Sequence, residues 1–281
     1  MTRTPLIRGG VLAPVALLLL VLPLAAQSLP AGFHDRSFAA NRPLDGGDAR
    51  PSEESEPWVV PGLAATIPVA PGLGWGELFA GGAYQYLDRD RDVAVAGAGF
   101  GLGDPRRWVG VQVAVNSFSA PSTRIPGRGA VDVHLSRHLP ADFAVGIGWE
   151  GVHRWGGPRA PSSGYAVVSR WFDLQADVPG HFGQGMVTIG VGSGRFQSAD
   201  NLREGLDRAG LFAAASLRIA APLALIAEWT GQDVFVGTSV TPFQDHRIAA
   251  TAGMGGLTGG DGAGSRFILG SSLVLRPFQK P

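Results

Sequence analysis

Asp132, His134 and Ser136 stand at alternate positions of one short stretch and are the residue types of a hydrolytic triad. On an extended strand, however, alternate side chains point the same way and stand ~6–7 Å apart, so they do not converge on one reacting atom. His134 and His138 are four residues apart. On a helix that spacing pairs two metal ligands, but on a strand it separates them by ~13 Å, too far to share one ion. The other histidines, His34, His153, His181 and His246, are scattered, and there is no cysteine. Thiol catalysis, thiolate metal sites and disulfides are therefore excluded. No Gly-x-Ser-x-Gly elbow occurs. Gly190-Val191-Gly192-Ser193-Gly194-Arg195 has the look of a phosphate-cradling loop, yet no helical pattern follows it at once. The sequence therefore assigns no catalytic residue, no metal ligand and no cofactor.

A second constellation consists of isolated charges: Glu150, Arg170, Arg218, Glu228, Asp233 and Arg266. Most are set among glycine, alanine and serine. A charge facing a low-dielectric interior costs several kcal/mol unless it is paired, so opposite signs on neighbouring strands are expected to meet. The expected pairs are Glu150 with Arg170, Arg218 with Glu228, and Arg266 with Asp233 or Glu228. Such a network either forms a charged constriction that selects solutes or fills a narrow interior as packing. The packing reading is preferred.

The elements that position these charges are strands. In 107–116, Val109, Val111, Val113 and Val115 alternate with Gly110, Gln112, Ala114 and Asn116. In 142–150, Phe143, Val145, Ile147 and Trp149 alternate with Ala144, Gly146, Gly148 and Glu150. In 266–274, Phe267, Leu269, Ser271 and Leu273 alternate with Ile268, Gly270, Ser272 and Val274. Period two is a strand signature and fails the three-and-four spacing of a helix. About twelve such segments follow residue 77, near 77–87, 92–101, 107–118, 129–138, 142–152, 164–175, 184–193, 211–220, 222–230, 233–241, 246–255 and 265–276. Ten or fourteen strands would also fit. Turn residues fall between them, with short links near 139–141, 220–222 and 230–233 expected at one end. Residues 194–210 form a longer connection, with a short helical turn at 200–208, acting as an outer loop or a plug.

The 281 residues carry 23 basic and 23 acidic groups, 16% charged in all, with 42 glycines. Zero formal charge gives no reason to expect a nucleic-acid partner. Arg3 and Arg8, the apolar stretch Val11–Leu24 and small residues through Ser28 read as a signal peptide over 1–28. Its removal leaves a net charge of −2. Residues 29–57, rich in Pro, Gly, Ser and charge, read as a disordered leader, and 58–281 as the barrel domain. At its start, Trp58–Gly62 and Ile67-Pro68-Val69 are expected to add at most one short strand, since three prolines argue against a long one.

Both soluble and membrane barrels alternate, so the bulky set decides between them. Here the small and sparsely charged set reads as the lumen face, and valine, leucine, phenylalanine and tryptophan as the outer face. In water that outer face would aggregate, whereas lipid accepts it and closure satisfies the backbone. Trp75, Trp108, Trp149, Trp155, Trp171 and Trp229, mostly near strand ends, fit an interfacial girdle. The predicted fold is an all-β antiparallel transmembrane β-barrel in the outer membrane of a diderm bacterium. Its expected partners are the lipid bilayer and the barrel-assembly machinery. Phe278 lies near the C-terminus in partial likeness to the terminal aromatic of an assembly signal.

The segments Gly192-Ser193-Gly194-Arg195-Phe196, Ala227–Gly237 and Gly259–Phe267 resemble repeated elements of the YjbH-like outer-membrane proteins linked to exopolysaccharide. The resemblance covers roughly residues 190–275 and implies a polysaccharide partner. The functional expectation is a non-enzymatic outer-membrane barrel, a narrow pore or an envelope scaffold. The alternatives are a soluble periplasmic barrel binding a small ligand and an outer-membrane hydrolase.

Overall fold

The computed structural model describes residues 64–87, 93–120, 123–156, 162–174, 182–241, 247–259 and 264–277. The signal segment 1–28, the leader 29–57, the segment 58–62 and Phe278 lie outside the described residues. Twelve strands follow one another: β1 (Leu78–Leu87), β2 (Val93–Gly103), β3 (Gly110–Ala120), β4 (Thr123–Leu139), β5 (Phe143–Trp155), β6 (Ser163–Asp173), β7 (Gln184–Gly192), β8 (Gly210–Ala220), β9 (Leu223–Trp229), β10 (Val234–Val240), β11 (Ile248–Gly255) and β12 (Arg266–Leu275). Each pairs antiparallel with the next, and β1 pairs with β12 from Leu78↔Leu275 to Leu87↔Arg266. The sheet is a closed barrel without an edge, as the alternation predicts.

Strand bounds fall within a few residues of the sequence expectation except in β4, which begins at Thr123. Ala120 pairs with Thr123, so β3 and β4 run on together as a hairpin beyond their neighbours. Two turns at one end are short. Pro140, Ala141 and Asp142 link β4 to β5, with Ala141 and Asp142 at φ 59° and 63°, and Ala221-Pro222 links β8 to β9. The start of β1 and the end of β12 lie at this same end, here called proximal. The connection at 230–233 lies at the opposite, distal end. This corrects the expectation that it shares an end with 139–141 and 220–222: β9 intervenes, and each strand crosses the wall once.

Alternation decides which way each side chain points. Along β7 the burial alternates strictly, with Val187, Ile189 and Val191 exposed and Met186, Thr188 and Gly190 turned inward. Ile147, Trp149, Val115, Leu225, Val236 and Phe267 continue the exposed apolar face around the wall. Trp108 near the proximal end and Trp229 at the distal end stand exposed, but Trp171 packs inward. A ten-residue strand at ~3.3 Å per residue, tilted by ~40°, is about 25 Å tall, the height of the apolar band of an outer-membrane barrel.

The inner face departs from the sequence reading. Beside glycine, alanine and serine it carries bulky side chains: Met186, Phe212, Ile226 and Phe235 are buried inside, and Tyr165 and Trp171 join them. The reason is geometric. An eight-stranded barrel is narrow enough for small side chains to fill, and sixteen strands leave a water channel. Twelve leave a gap that side chains alone do not close.

Candidate functional site: a lumen occupied by its own chain

Residues 64–74 close that gap. They form no strand, contrary to the expectation for Ile67-Pro68-Val69, but run through the barrel as a strap that bends at 65–67 and at Ala70. Pro68 and Pro71 remove two of its backbone donors, which suits a segment flanked by side chains rather than by a ladder partner. Ala64, Ile67, Val69 and Ala70 are at most 1% exposed and pack with Ala144, Val167, Met186, Phe196, Phe212 and Ala214. Ala65 packs against Ile226, Phe235 and Ile268, and Leu73 against Ala249, Val274 and Phe79. The strap thus contributes to every apolar cluster inside the barrel found among the described residues. Burying side chains such as Ile67, Val69 and Leu73 contributes about 1.5–3 kcal/mol each.

The strap's backbone polar groups are met by lumen side chains, as burial requires. The carboxylate of Glu228 accepts from the backbone N–H groups of Ala65 and Thr66 and from the Thr66 hydroxyl. Arg195 donates to the Thr66 carbonyl at 2.9 Å. Ala70 N–H donates to Ser169 Oγ at 3.0 Å, and its carbonyl lies 2.9 Å from His134 Nε2. Leu73 N–H donates to Gln112 Oε1 at 3.3 Å. Gly146 makes room for this approach, because a Cβ there would lie 2.9 Å from the Ala70 carbonyl oxygen and closer still to the His134 ring.

The distal mouth is covered by the link between β7 and β8. A 3-10 turn at Gly194–Phe196 and a helix α1 (Ala199–Arg203) form there, inside the stretch for which the sequence predicts a helical turn or plug. Phe196 is fully buried against Phe212, with ring centroids 4.4 Å apart. Gln232 donates to the Arg195 carbonyl at 2.6 Å, tying the cover to the next distal link. Gly231, at φ 95°, lies so close to the Phe196 carbonyl that no side chain fits.

The six sequence-selected charges are placed as follows. Glu150 does not meet Arg170. They lie on adjacent strands, but Glu150 pairs in register with Ser163 and Arg170 with Phe143, at opposite ends. Glu150 instead holds Arg195 through two bonds of 2.6 and 2.8 Å. Burial disfavours the Arg195 charge, and the Glu150 carboxylate more than offsets this, raising its pKa above the ordinary value. Arg170 is on the outer face, its guanidinium 4.9 Å from the ring centres of Phe143 and Phe172. Arg218 does not meet Glu228. Its register partner is Ala224 while that of Glu228 is Ala214, and Arg218 donates to the Ala221 carbonyl at 3.1 and 2.7 Å. Arg266 and Asp233 stand 3.9 Å apart. Asp233 Oδ1 also accepts from Val234 N–H, Thr258 N–H and the Thr258 hydroxyl, so this carboxylate pins two distal links together.

The triad-like residues separate. Both ring nitrogens of His134 are engaged, Nδ1 by the Tyr165 hydroxyl at 2.9 Å and Nε2 by the strap, which leaves none for Asp132 or Ser136. Asp132 accepts from Asn116 and from Gly151 N–H, fixing the β-bulge between β4 and β5. His138 stacks on Trp171, 6.1 Å between centroids. Sequence reasoning missed Arg195 and the strap. Arg195 sits in a glycine-rich link rather than a strand, and the strap has no period to betray it.

Beside the strap a narrow seam of mixed character remains, lined on one hand by Gln112, Asn116, Asp132, His134, Glu150 and Tyr165 and on the other by Pro68, Phe79, Ala114 and Val133. The arrangement is a closed twelve-stranded barrel with a segment of its own chain and a narrow seam in its lumen. No protein-family model matches this chain, and no curated protein matches it by sequence. Among solved structures it is similar to the KdgM porin, at 10% identity over 69% of this chain and 98% of that one, TM-score 0.43. It is similar to the KdgM porin in complex with disordered oligogalacturonate, at 10% identity over 70% and 98%, TM-score 0.42. It is also similar to the Acinetobacter baumannii outer membrane protein Omp33, at 8% identity over 71% and 98%, TM-score 0.39.

Proposed function

We propose that this chain is a non-enzymatic outer-membrane barrel acting as a narrow pore, occluded at rest by its own residues 64–74. The outward apolar face supports the location: Ile147, Ile189, Leu211 and Val236 are each about half exposed, a surface that lipid tolerates and water does not. The strap supports occlusion, since it occupies the lumen from one mouth to the other. The observation that carries the pore reading is how the strap is held. Its backbone is met by side-chain donors and acceptors rather than by a sheet ladder, so it can leave without breaking the wall. An extended oligosaccharide is the solute to assay first. The resemblance over residues 190–275 implies a polysaccharide partner, and the lumen already accommodates one segment of polymer chain.

Membrane fractionation, heat-modifiable gel migration and planar-bilayer recording test this reading together. The full chain is expected in the membrane fraction with rare, brief openings, and a chain lacking residues 29–73 is expected to conduct continuously. Recovery as a soluble periplasmic monomer would sink the location. A truncated barrel that folds yet never conducts would sink the pore.

A further inference from the structure

We infer that the barrel is also a display device: it holds its N-terminal arm across the membrane and delivers the residues before Ala64 to the cell exterior. The inference rests on the outer-membrane reading and adds a direction to it. Three contacts fix that direction. Leu73 is tied to Gln112, two residues into β3 from the proximal end. Ala70 is tied to Ser169, four residues from the proximal end of β6. Thr66 is tied to Glu228, one residue from the distal end of β9, and to Arg195 in the distal cover. The chain therefore rises steadily from the proximal to the distal mouth as it is read back toward its N-terminus. Seven steps at ~3.3 Å each set an upper limit of about 23 Å on the strap between Thr66 and Leu73, and the chain bends at Ile67 and Ala70 on the way.

A return through the lumen is blocked by packing, since Ala64, Ile67 and Val69 are already enclosed by Phe196, Phe212 and Met186. At the proximal end the strap turns into β1 over 74–77. Trp75 N–H donates to the Gly103 carbonyl and Glu77 N–H to the Gly74 carbonyl, with Gly76 at φ 80°. Strap and β1 thus descend and climb as one tight hairpin, a form in which the barrel can close around the strap. The proximal end holds both barrel termini, and the longest link, between β7 and β8, lies at the distal end, where the longer outer loops of such barrels stand. The distal mouth then opens outside. Residues 29–63 carry six acidic and three basic side chains, a composition suited to water rather than to the lumen.

The absence of native cysteine makes the test direct. Single variants of the full chain, Ser52→Cys in the arm, Glu204→Cys in the distal cover and Arg107→Cys in a proximal turn, are labelled with a membrane-impermeant maleimide on intact cells. The expected result is labelling of S52C equal to that of E204C, with loss of R107C labelling until the outer membrane is permeabilised. Labelling of E204C with S52C silent would overturn the display inference and leave the outer-membrane reading standing. Labelling of R107C with E204C silent would reverse the barrel and overturn it as well. Silence of all three until cells are lysed would remove the outer-membrane reading itself. A mature protein that lacks residue 52 by intact mass would also end the proposal.

Discussion

At the distal mouth Thr66 and Ala65 meet a carboxylate and a guanidinium, whereas at the proximal end Leu73 meets one neutral amide. Glu228 alone accepts three bonds from the strap, and Arg195 is itself braced by both oxygens of Glu150. The contrast follows from connectivity. Leu73 is four residues from Glu77 and the start of β1, so covalent attachment keeps it in place and one weak bond suffices. Thr66 is eleven residues from Glu77, so its position depends on these bonds together with the buried packing of Ala64 and Ile67. Bonds to charged groups contribute about 1.5–3 kcal/mol against about 1 for neutral ones. The strap is therefore built to detach from the distal end first, like a cord fixed at its foot.

Glu228→Ala is expected to have the largest effect on this asymmetry. It strips acceptors from two backbone N–H groups and a hydroxyl that remain buried, a loss on the order of 3–5 kcal/mol. Amide exchange at residues 65–66 should accelerate by several orders of magnitude, and bilayer openings should become frequent, while the wall strands keep their protection. Unchanged exchange at Thr66 would mean that apolar packing, not Glu228, holds the strap. Arg195→Ala comes next. It removes the bond to the Thr66 carbonyl and leaves Glu150 without its cation, an effect of about 2–3 kcal/mol. Openings intermediate between wild type and Glu228→Ala are expected. If Arg195→Lys restored the full effect, a point charge rather than the two-bond fork would be what braces the cover.

The wall was legible in the sequence because alternation has one cause. A side chain in a closed sheet points either to lipid or to the lumen, and Val111–Val115 and Phe143–Trp149 carry that choice in their order. The lumen was legible only in part. Period two tells that Glu150 and Glu228 face inward, but not how far up the wall each stands, and pairing depends on height. Arg170 shows the same limit from the other side. It sits at an outward parity near a strand end, where two phenylalanine rings take the role expected of a carboxylate. The strap left no periodic trace, since a chain enclosed on all sides shows neither a two-residue nor a helical repeat. Its apolar residues and prolines read at most as one short strand at Ile67-Pro68-Val69. Asp233 and Arg266 stand 3.9 Å apart at the distal ends of β10 and β12, with β11 between those two strands. The segments that carry the polysaccharide resemblance contain both, and here they tie distal links together.

Asp233 gives the distal mouth a pH dependence of its own. Burial pushes its carboxyl up, but the two Thr258 bonds, the Val234 N–H and Arg266 outweigh this and hold it below the ordinary 3.8. A depressed carboxyl contributes stability that is complete above its unfolded value and is lost as pH falls through the folded one. The expected outcome is loosening of the links at 230–233 and 256–259 below about pH 4, with no change between pH 5 and 8. Exchange measured across that range checks it, and Asp233→Asn should abolish the acid step. An acid step surviving in Asp233→Asn would assign the effect to another carboxyl.

The smallest effects belong at the proximal end, and their smallness is what the comparison demands. Gln112→Ala removes one neutral bond to Leu73, and Ser169→Ala one to Ala70, with a cost of about 1 kcal/mol each. Ser169 also contacts Thr188 at 2.7 Å, so part of its cost falls on the wall rather than on the strap. Because the foot of the strap continues into β1, local loosening there does not let Thr66 move. Neither variant should raise the frequency of openings or the exchange at Thr66, although Leu73 N–H exchange should quicken roughly fivefold in Gln112→Ala, the factor that about 1 kcal/mol corresponds to. If Gln112→Ala opened the pore as readily as Glu228→Ala, the strap would be leaving as a rigid rod rather than peeling from its distal end, and the two anchors would have to be equivalent.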